Sequence, residues 1–353
     1  MNPYAKVPLV SNRVRFDRIL RISSRTALLA IAGLAGGCAT APQPGTQVPR
    51  QGDEILVAGQ LFHTGTPIVL WMDPDGYDAY RTERRFSPRD EADWSSSREA
   101  VPALSSPQRY NARQVGLTDE ERERVRGGGW DLPLLQRVVD QVVLHYDAAG
   151  TSRECFRILH DVAGLSAHFL IDLDGTVYQT LDLKERAWHA TTSNTRSIGI
   201  ELANIGAYEP DEKHPLHAWY TRDPDGRVRI SLPDELGDGG IRTAGFIGRP
   251  ARDEPVTGRI HNRKLVQYDF TPEQYRALAH VTAALCRIFP VVRPDYPRDE
   301  DGNLIAGKLP DDELDRYQGF LGHFHIQTEK IDPGPAFDWD RLVEKTTQLL
   351  RSR

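Results

Sequence analysis

Residues 197–203 read SIGIELA. The apolar side chains alternate, so Ile198, Ile200 and Leu202 share one face of a strand, with Gly199, Glu201 and Ala203 on the other. A carboxylate at position 201 of so apolar a strand is costly unless a partner answers its charge. Burial there raises its pKa toward the range of a general base, while a glutamate satisfied at a sheet edge would need no such role. Upstream, QVVLHY (residues 141–146) is a second β-branched run, with His145 near its end. A short amphipathic helix is predicted over 132–140, and Thr151 with Glu154 predicts a capping box for a helix that Gly164 ends. Residues 168–172 and 176–181, joined by Asp174-Gly175, predict a β-hairpin. Thr271-Pro272-Glu273-Gln274 opens another helix, with Tyr275, Leu278, Val281, Leu285 and Ile288 as its apolar stripe and Phe270 stapled onto Tyr275. Asp338 caps a last helix that runs through Leu350. Strands alternating with helices predict an α/β domain.

Between these elements lie less patterned stretches. Residues 55–72 predict one or two strands, 81–129 an arm or long loop, and 205–269 and 291–316 two polar insertions. The chain has 353 residues, 39% hydrophobic and 27% charged, as in soluble globular proteins. Its formal net charge is −6; residues 1–37 carry six basic residues against Asp17, so the remainder stands at −11. An acidic protein of this kind argues against a nucleic-acid partner.

The segment Gly322–Trp339, GHFHIQTEKIDPGPAFDW, gathers groups that bind metal or stabilise charge. His323 and His325 stand two apart, and Lys330 and Asp332 likewise, before Pro333-Gly334-Pro335 stiffens the backbone. A catalytic zinc site takes three protein ligands and leaves one position open. From the residues alone, either histidine could serve beside His145 and Asp332. Lys330 is either a surface lysine or a cation placed for an oxyanion. His214 and His217 in the insertion read as incidental, and His63, His160, His261 and His280 have no chemical context.

Taken in order, VVLHYD (142–147), SAHFLIDLDG (166–175), RAWHA (186–190), SIGIEL (197–202), FTPEQY (270–275) and the segment from Gly322 resemble the zinc-dependent N-acetylmuramoyl-L-alanine amidases, whose superfamily includes the peptidoglycan-recognition proteins. The resemblance covers about residues 140–204 and 270–345. It implies a central mixed β-sheet flanked by helices, here with long loop insertions. It makes His145, His323 and Asp332 the ligands of Zn2+, Glu201 the catalytic glutamate and Lys330 the lysine beside the metal. His168, Trp188 and His189 match positions that line the substrate groove. The implied reaction is hydrolysis of the amide between N-acetylmuramic acid and L-alanine, in peptidoglycan or muropeptides. Two alternatives are a non-catalytic peptidoglycan-binding module and a zinc amide hydrolase with another substrate. One departure concerns spacing: His323 and Asp332 are nine apart where close relatives often have ten, which leaves His325 as the spare ligand candidate.

The N-terminus resembles a bacterial lipoprotein signal. Basic residues precede an apolar run from Ala27 to Ala35, followed by Gly36, Gly37 and Cys38. Cleavage would leave Cys38 as a lipidated first residue, and Ala39 after it fits an outer-membrane lipoprotein facing the periplasm. The expected organisation is therefore a signal peptide over 1–37, a tether over 38–54, an N-terminal extension over 55–129 and the amidase domain over 130–353. Cys155 and Cys286 could pair in an oxidising compartment or stay as buried thiols.

Overall fold

The computed structural model describes residues 50–94, 109–210 and 213–352. The signal segment, Cys38 and most of the tether lie outside the described residues. The chain opens with a hairpin of β1 (Glu54–Val57) and β2 (Gln60–His63), and β3 (Ile68–Leu70) follows. Residues 55–72 thus give three short strands rather than one or two. Residues 81–129 are more than an arm, since they contain β4 (Tyr110–Ala112) and α1 (Asp119–Arg126), the latter opened by a Thr118/Glu121 capping box. Then come α2 (Leu132–Val138), β5 (Gln141–Tyr146) and α3 (Ser152–Phe156). The helical path of α3 widens to a π-helix over Arg157–Ala163 before Gly164, at φ +66°, ends it. Four strands follow: β6 (Phe169–Ile171), β7 (Val177–Gln179), β8 (Glu185–Ala187) and β9 (Ser197–Leu202).

The insertion at 205–269 folds as α4 (Leu216–Trp219) and two hairpins, β10 (Tyr220–Arg222) with β11 (Val228–Ile230) and β12 (Val256–Ile260) with β13 (Arg263–Gln267). The chain closes with α5 (Pro272–Ile288), α6 (Asp311–Arg316), β14 (Gly319–Gly322) and α7 (Trp339–Arg351).

Six strands form the main sheet in the order β14-β5-β9-β6-β7-β3, with only β6 and β7 antiparallel. This is the central mixed sheet expected from the sequence. The extension, however, does not merely pack on the domain, because β3 is an edge strand of that sheet. Ile198, Ile200 and Leu202 lie in one core with Val142, Leu144 and the inner faces of α5 and α7. On the other face, Leu170 and Tyr178 pack with Cys155 and Phe156 of α3. Helices therefore cover both faces, as a largely parallel sheet requires. Cys155 and Cys286 belong to these two different clusters and are both free and buried, so they do not pair.

The start of α5 shows how its cap also fixes it to the sheet. Thr271 Oγ1 accepts from Gln274 N, and Gln274 Oε1 accepts from Thr271 N. Gln274 Nε2 then donates to the carbonyls of Ile171 and Ala203, just at the ends of β6 and β9. Phe270 meets Tyr275 edge-on at 6.1 Å, as the staple predicts. Each Leu, Ile or Val that α5 buries stabilises the fold by roughly 1.5–3 kcal/mol.

Asp172, in the turn after β6, is fully buried and accepts from Leu173 N and Ser152 N. Burial pushes its carboxyl up to about 7. The folded chain keeps this proton while the unfolded chain releases it near pH 4, so the residue's contribution to stability falls as pH rises through that window. Asp172→Asn keeps both acceptor contacts and removes the ionisation. Urea melts should show the variant gaining on the native protein between pH 5 and pH 8, by on the order of 1 kcal/mol or more; an equal difference at both pH values would contradict the buried, protonated form.

Candidate active site and metal centre

The register of three adjacent parallel strands assembles the site. His145 on β5 pairs with Glu201 on β9, and Gly322 at the end of β14 pairs with Leu144. His323, the next residue, therefore lies beside His145, and both stand at the carboxyl ends of their strands, where open α/β sheets hold ligands. Gly199 makes room on β9: a Cβ there would lie 2.6 Å from the His189 ring.

Asp332 completes the cluster from the loop before α7. His145 Nδ1 is 2.7 Å from Asp332 Oδ2, His323 Nδ1 is 3.1 Å from the same oxygen, and the two Nδ1 atoms are 3.1 Å apart. All three residues are buried. Protons on both Nδ1 atoms would set two N–H groups head to head. The outer ring nitrogens show where the protons go instead. His323 Nε2 lies 2.8 Å from Gln327 Oε1, and Gln327 Nε2 in turn donates to Glu329 Oε1 at 2.5 Å, which fixes the amide's orientation. His323 thus carries its proton on Nε2. His145 Nε2 lies 3.0 Å from His189 Nδ1, and His189 Nε2 lies 3.3 Å from Ser197 Oγ, a chain able to accept the His145 proton on its outer side.

With the ring protons on the outer nitrogens, two imidazole lone pairs and one carboxylate oxygen converge on a point where a cation would replace the inner protons. Burial lowers the His145 pKa to about 4, so it stays neutral at working pH. Burial opposes ionisation of Asp332, but the electrostatic pull of His323 and hydrogen bonds from His145 and His323 outweigh it and hold the carboxyl well below its usual range; a bound cation would take the place of those ring protons. Neutral histidines with an ionised carboxylate are the donor set that a divalent cation such as zinc takes, and the cluster fits one.

Glu201 is 8% exposed and no hydrogen bond is made to its carboxylate by the described residues. Burial raises its pKa well above the ordinary value, with Asp332 and Asp147 adding and Lys330 opposing. Lys330 lines the groove beside it, and among the described residues no hydrogen bond or ion pair holds Nζ. The groove has two adjoining lobes. One, about 390 Å³, is lined by His145, Tyr146, Ile158, Glu201 and Asp332. The other, about 740 Å³, is lined by Arg186, Thr191, Thr192 and Asn194. Trp188, His189, His323 and Lys330 border both.

The structure thus brings together His145, His323, Asp332, Glu201 and Lys330, and places Trp188 and His189 on the groove. It does not place His168 there. His168 is fully buried beneath His189, ring centroids 6.0 Å apart, with Nδ1 accepting from Gly199 N and Nε2 at 3.0 Å from Arg113 Nη2. It supports the wall from behind and cannot touch a ligand. His325 is outside this cluster. It is fully buried and its Nδ1 accepts from Gly322 N at 2.8 Å.

Several residues were missed in the sequence. Gln327 follows His323 by one helical turn, a spacing that could have flagged it. Asn194 Oδ1 accepts from both His189 N and Ala190 N. His261 gave no signal because its partner is backbone: at the β12–β13 turn, its Nε2 donates to the Lys330 carbonyl at 2.9 Å. Gln267 of β13 donates to the Pro333 carbonyl and accepts from Ala336 N. This hairpin braces the loop that carries Lys330 and Asp332. His261→Ala should speed amide hydrogen exchange across residues 329–336 by roughly fivefold or more, the loss of about 1 kcal/mol, and leave exchange in β5 unchanged. Unaltered exchange in the loop would show that the brace carries no load.

A family model for N-acetylmuramoyl-L-alanine amidase matches residues 135–335. No curated protein matches the sequence. Solved structures include a selenomethionine AmpD derivative, 20% identical over 72% of this chain and 97% of that one, with a TM-score of 0.31. The Escherichia coli amidase AmiD, solved with anhydro-N-acetylmuramic acid-L-Ala-D-γ-Glu-L-Lys, is 19% identical over 59% of this chain and 57% of that one, with a TM-score of 0.32. Staphylococcus aureus AmiA is 10% identical over 68% of this chain and 95% of that one, with a TM-score of 0.31.

Proposed function

This chain belongs to the N-acetylmuramoyl-L-alanine amidase family and is an amidase acting on peptidoglycan; we propose that it does so as a zinc enzyme, with His145, His323 and Asp332 as ligands, Glu201 as general base and Lys330 as the oxyanion's cation. The observation that carries this reading is the convergence of three buried ligand atoms, from His145, His323 and Asp332, beside a buried glutamate that has no hydrogen-bond partner among the described residues. Bound zinc would supply Lewis acidity toward a water molecule and the scissile carbonyl.

The chain's own residues account for the rest. Burial makes ionised Glu201 a stronger base than an exposed glutamate, so it takes a proton from the attacking water. The same carboxyl then returns that proton to the leaving nitrogen as the C–N bond breaks, giving a lactyl carboxylic acid and the free amine of L-alanine. Lys330 Nζ, without a partner among the described residues, is available to the oxygen on which negative charge develops. Trp188 and His189 form the wall against which the substrate lies. Its class would be muropeptides of the kind bound to AmiD, or the same linkage in intact wall.

We also propose that the mature protein is tethered through lipid on Cys38 and faces the periplasm from the outer membrane. Among the described residues no helix is long and apolar enough to cross a membrane. Labelling with a radioactive fatty acid should mark the native chain and not Cys38→Ala; label on both would rule out this anchor.

Incubation with purified muropeptides and mass analysis should show released stem peptide, abolished by a chelator and restored by zinc. Glu201→Gln should bind one zinc and lose at least about 100-fold in kcat. His323→Ala should lose the metal while His325→Ala keeps it. Native turnover by Glu201→Gln would remove the assigned base, and the reverse metal result would exchange the two histidines.

A further inference from the structure

We infer that the larger groove lobe contains a carboxylate-reading subsite, with Arg186 as its anion-binding group and Trp188 as its platform. This deepens the amidase reading and rests on it. Arg186 lies on β8, and its guanidinium carbon is 4.2 Å from the centroid of the Trp188 ring. Among the described residues nothing accepts a hydrogen bond from this guanidinium, and no carboxylate stands within ion-pair distance of it. Its Nε and the neighbouring Trp188 Nε1 are both buried N–H groups without an acceptor.

Several other half-buried arginines have anionic partners. Arg196 pairs with Asp140, Arg252 with Asp269 and Arg249 with Asp223. Arg113, fully buried, donates to the carbonyls of Leu183, Thr195 and Ser197. Arg186 alone among these has lost hydration without gaining a partner, and burial is the one cause that acts on its pKa, lowering it. A cation in that condition gains most from an incoming anion. Stacking on an indole holds the guanidinium plane in place and leaves its edge free for a bidentate contact.

Of the lobe's remaining polar lining, Thr191, Thr192, Asn194 and Gln327 are neutral, and Lys330 at the border with the other lobe is a second cation. Glu329 on the far side is engaged by Gln327. The anion must therefore come from the substrate. In a muropeptide the second peptide residue is D-glutamate linked through its γ-carboxyl, so its α-carboxylate stays free, one residue beyond the amide that is cut. One residue of extended chain spans ~3.5 Å, short enough for this carboxylate to enter a lobe that shares His189, His323 and Lys330 with the reaction centre. The peptide then runs toward Arg186, and the sugar occupies the lobe beside Tyr146 and Ile158.

The test compares two substrates on the zinc-loaded mature enzyme: anhydro-N-acetylmuramic acid-L-Ala-D-γ-Glu-L-Lys, and the same compound with its glutamate α-carboxylate converted to a carboxamide. The native enzyme should prefer the carboxylate by about tenfold in kcat/KM, with the difference in KM. Arg186→Gln should bring that ratio close to one, and Arg186→Lys should leave an intermediate ratio. Lysine preserves the charge, so this variant carries the test if the glutamine form is unstable: its ratio must fall below the native one. Equal rates on both substrates by the native enzyme, or an unchanged ratio in the variants, would overturn the subsite while leaving the amidase reading intact. Failure of the native enzyme to cleave either compound would overturn both.

Discussion

The parallel register of β14, β5 and β9 is the constraint on which the site depends. It sets His323, His145 and Glu201 in one row at the carboxyl ends of neighbouring strands. Side chains alternate along a strand, so a slip of one residue would turn His145 into the core and bring Leu144 to the groove. The register is held by the opposite face. Val142, Leu144, Ile198, Ile200 and Leu202 fit against α5 and α7 only in this alignment. Core packing and placement of the chemical groups are therefore one property of the sheet seen from its two faces.

Within that frame, polar chains leading away from the cluster determine what it can hold. A buried His-His-Asp triangle could be a hydrogen-bonded trio or a cation site, and the inner distances alone do not decide. The outer partners do. Gln327, oriented by Glu329, gives the His323 proton an outward acceptor, and His189 with Ser197 can do the same for His145. Such partners orient ligands and raise their basicity. Glu201 differs in having no hydrogen-bond partner among the described residues; burial keeps its proton affinity high, and its carboxyl is free to exchange a proton with whatever enters the groove.

The alternation of SIGIELA was legible because its two faces meet different surroundings, and the capping residues of α5 and α7 were legible because a cap is local chemistry. The cluster's ligands were legible only as an ordered set, since no single histidine carried the signal. Other features were hidden for physical reasons. Three apolar residues such as Ile68–Leu70 read alike in an extension and in an edge strand; only the distant partner β7 tells them apart. His168 resembled a groove residue because what buries it, Arg113, comes from a stretch with little pattern of its own. His261 and Gln267 could not be read at all, since they bind backbone carbonyls and amides, which every residue offers.

The insertion that supplies these last two residues explains how the loop after His323 closes on the cluster. From His323 the chain turns at once, with Gln327 N returning to the His323 carbonyl. It then reaches Asp332 nine residues after His323. The β12–β13 hairpin holds the far end of that path: His261 grips the Lys330 carbonyl, Gln267 grips Pro333 and Ala336, and Gly334 at φ +85° lies so close that a Cβ would fall 2.2 Å from Gln267 Oε1. The same contacts fix where Lys330 stands relative to Glu201. A cation that is to meet a developing charge is most effective when no reorganisation is needed to bring it there. A surface insertion thus fixes, through backbone hydrogen bonds, the position of charge at the reaction centre.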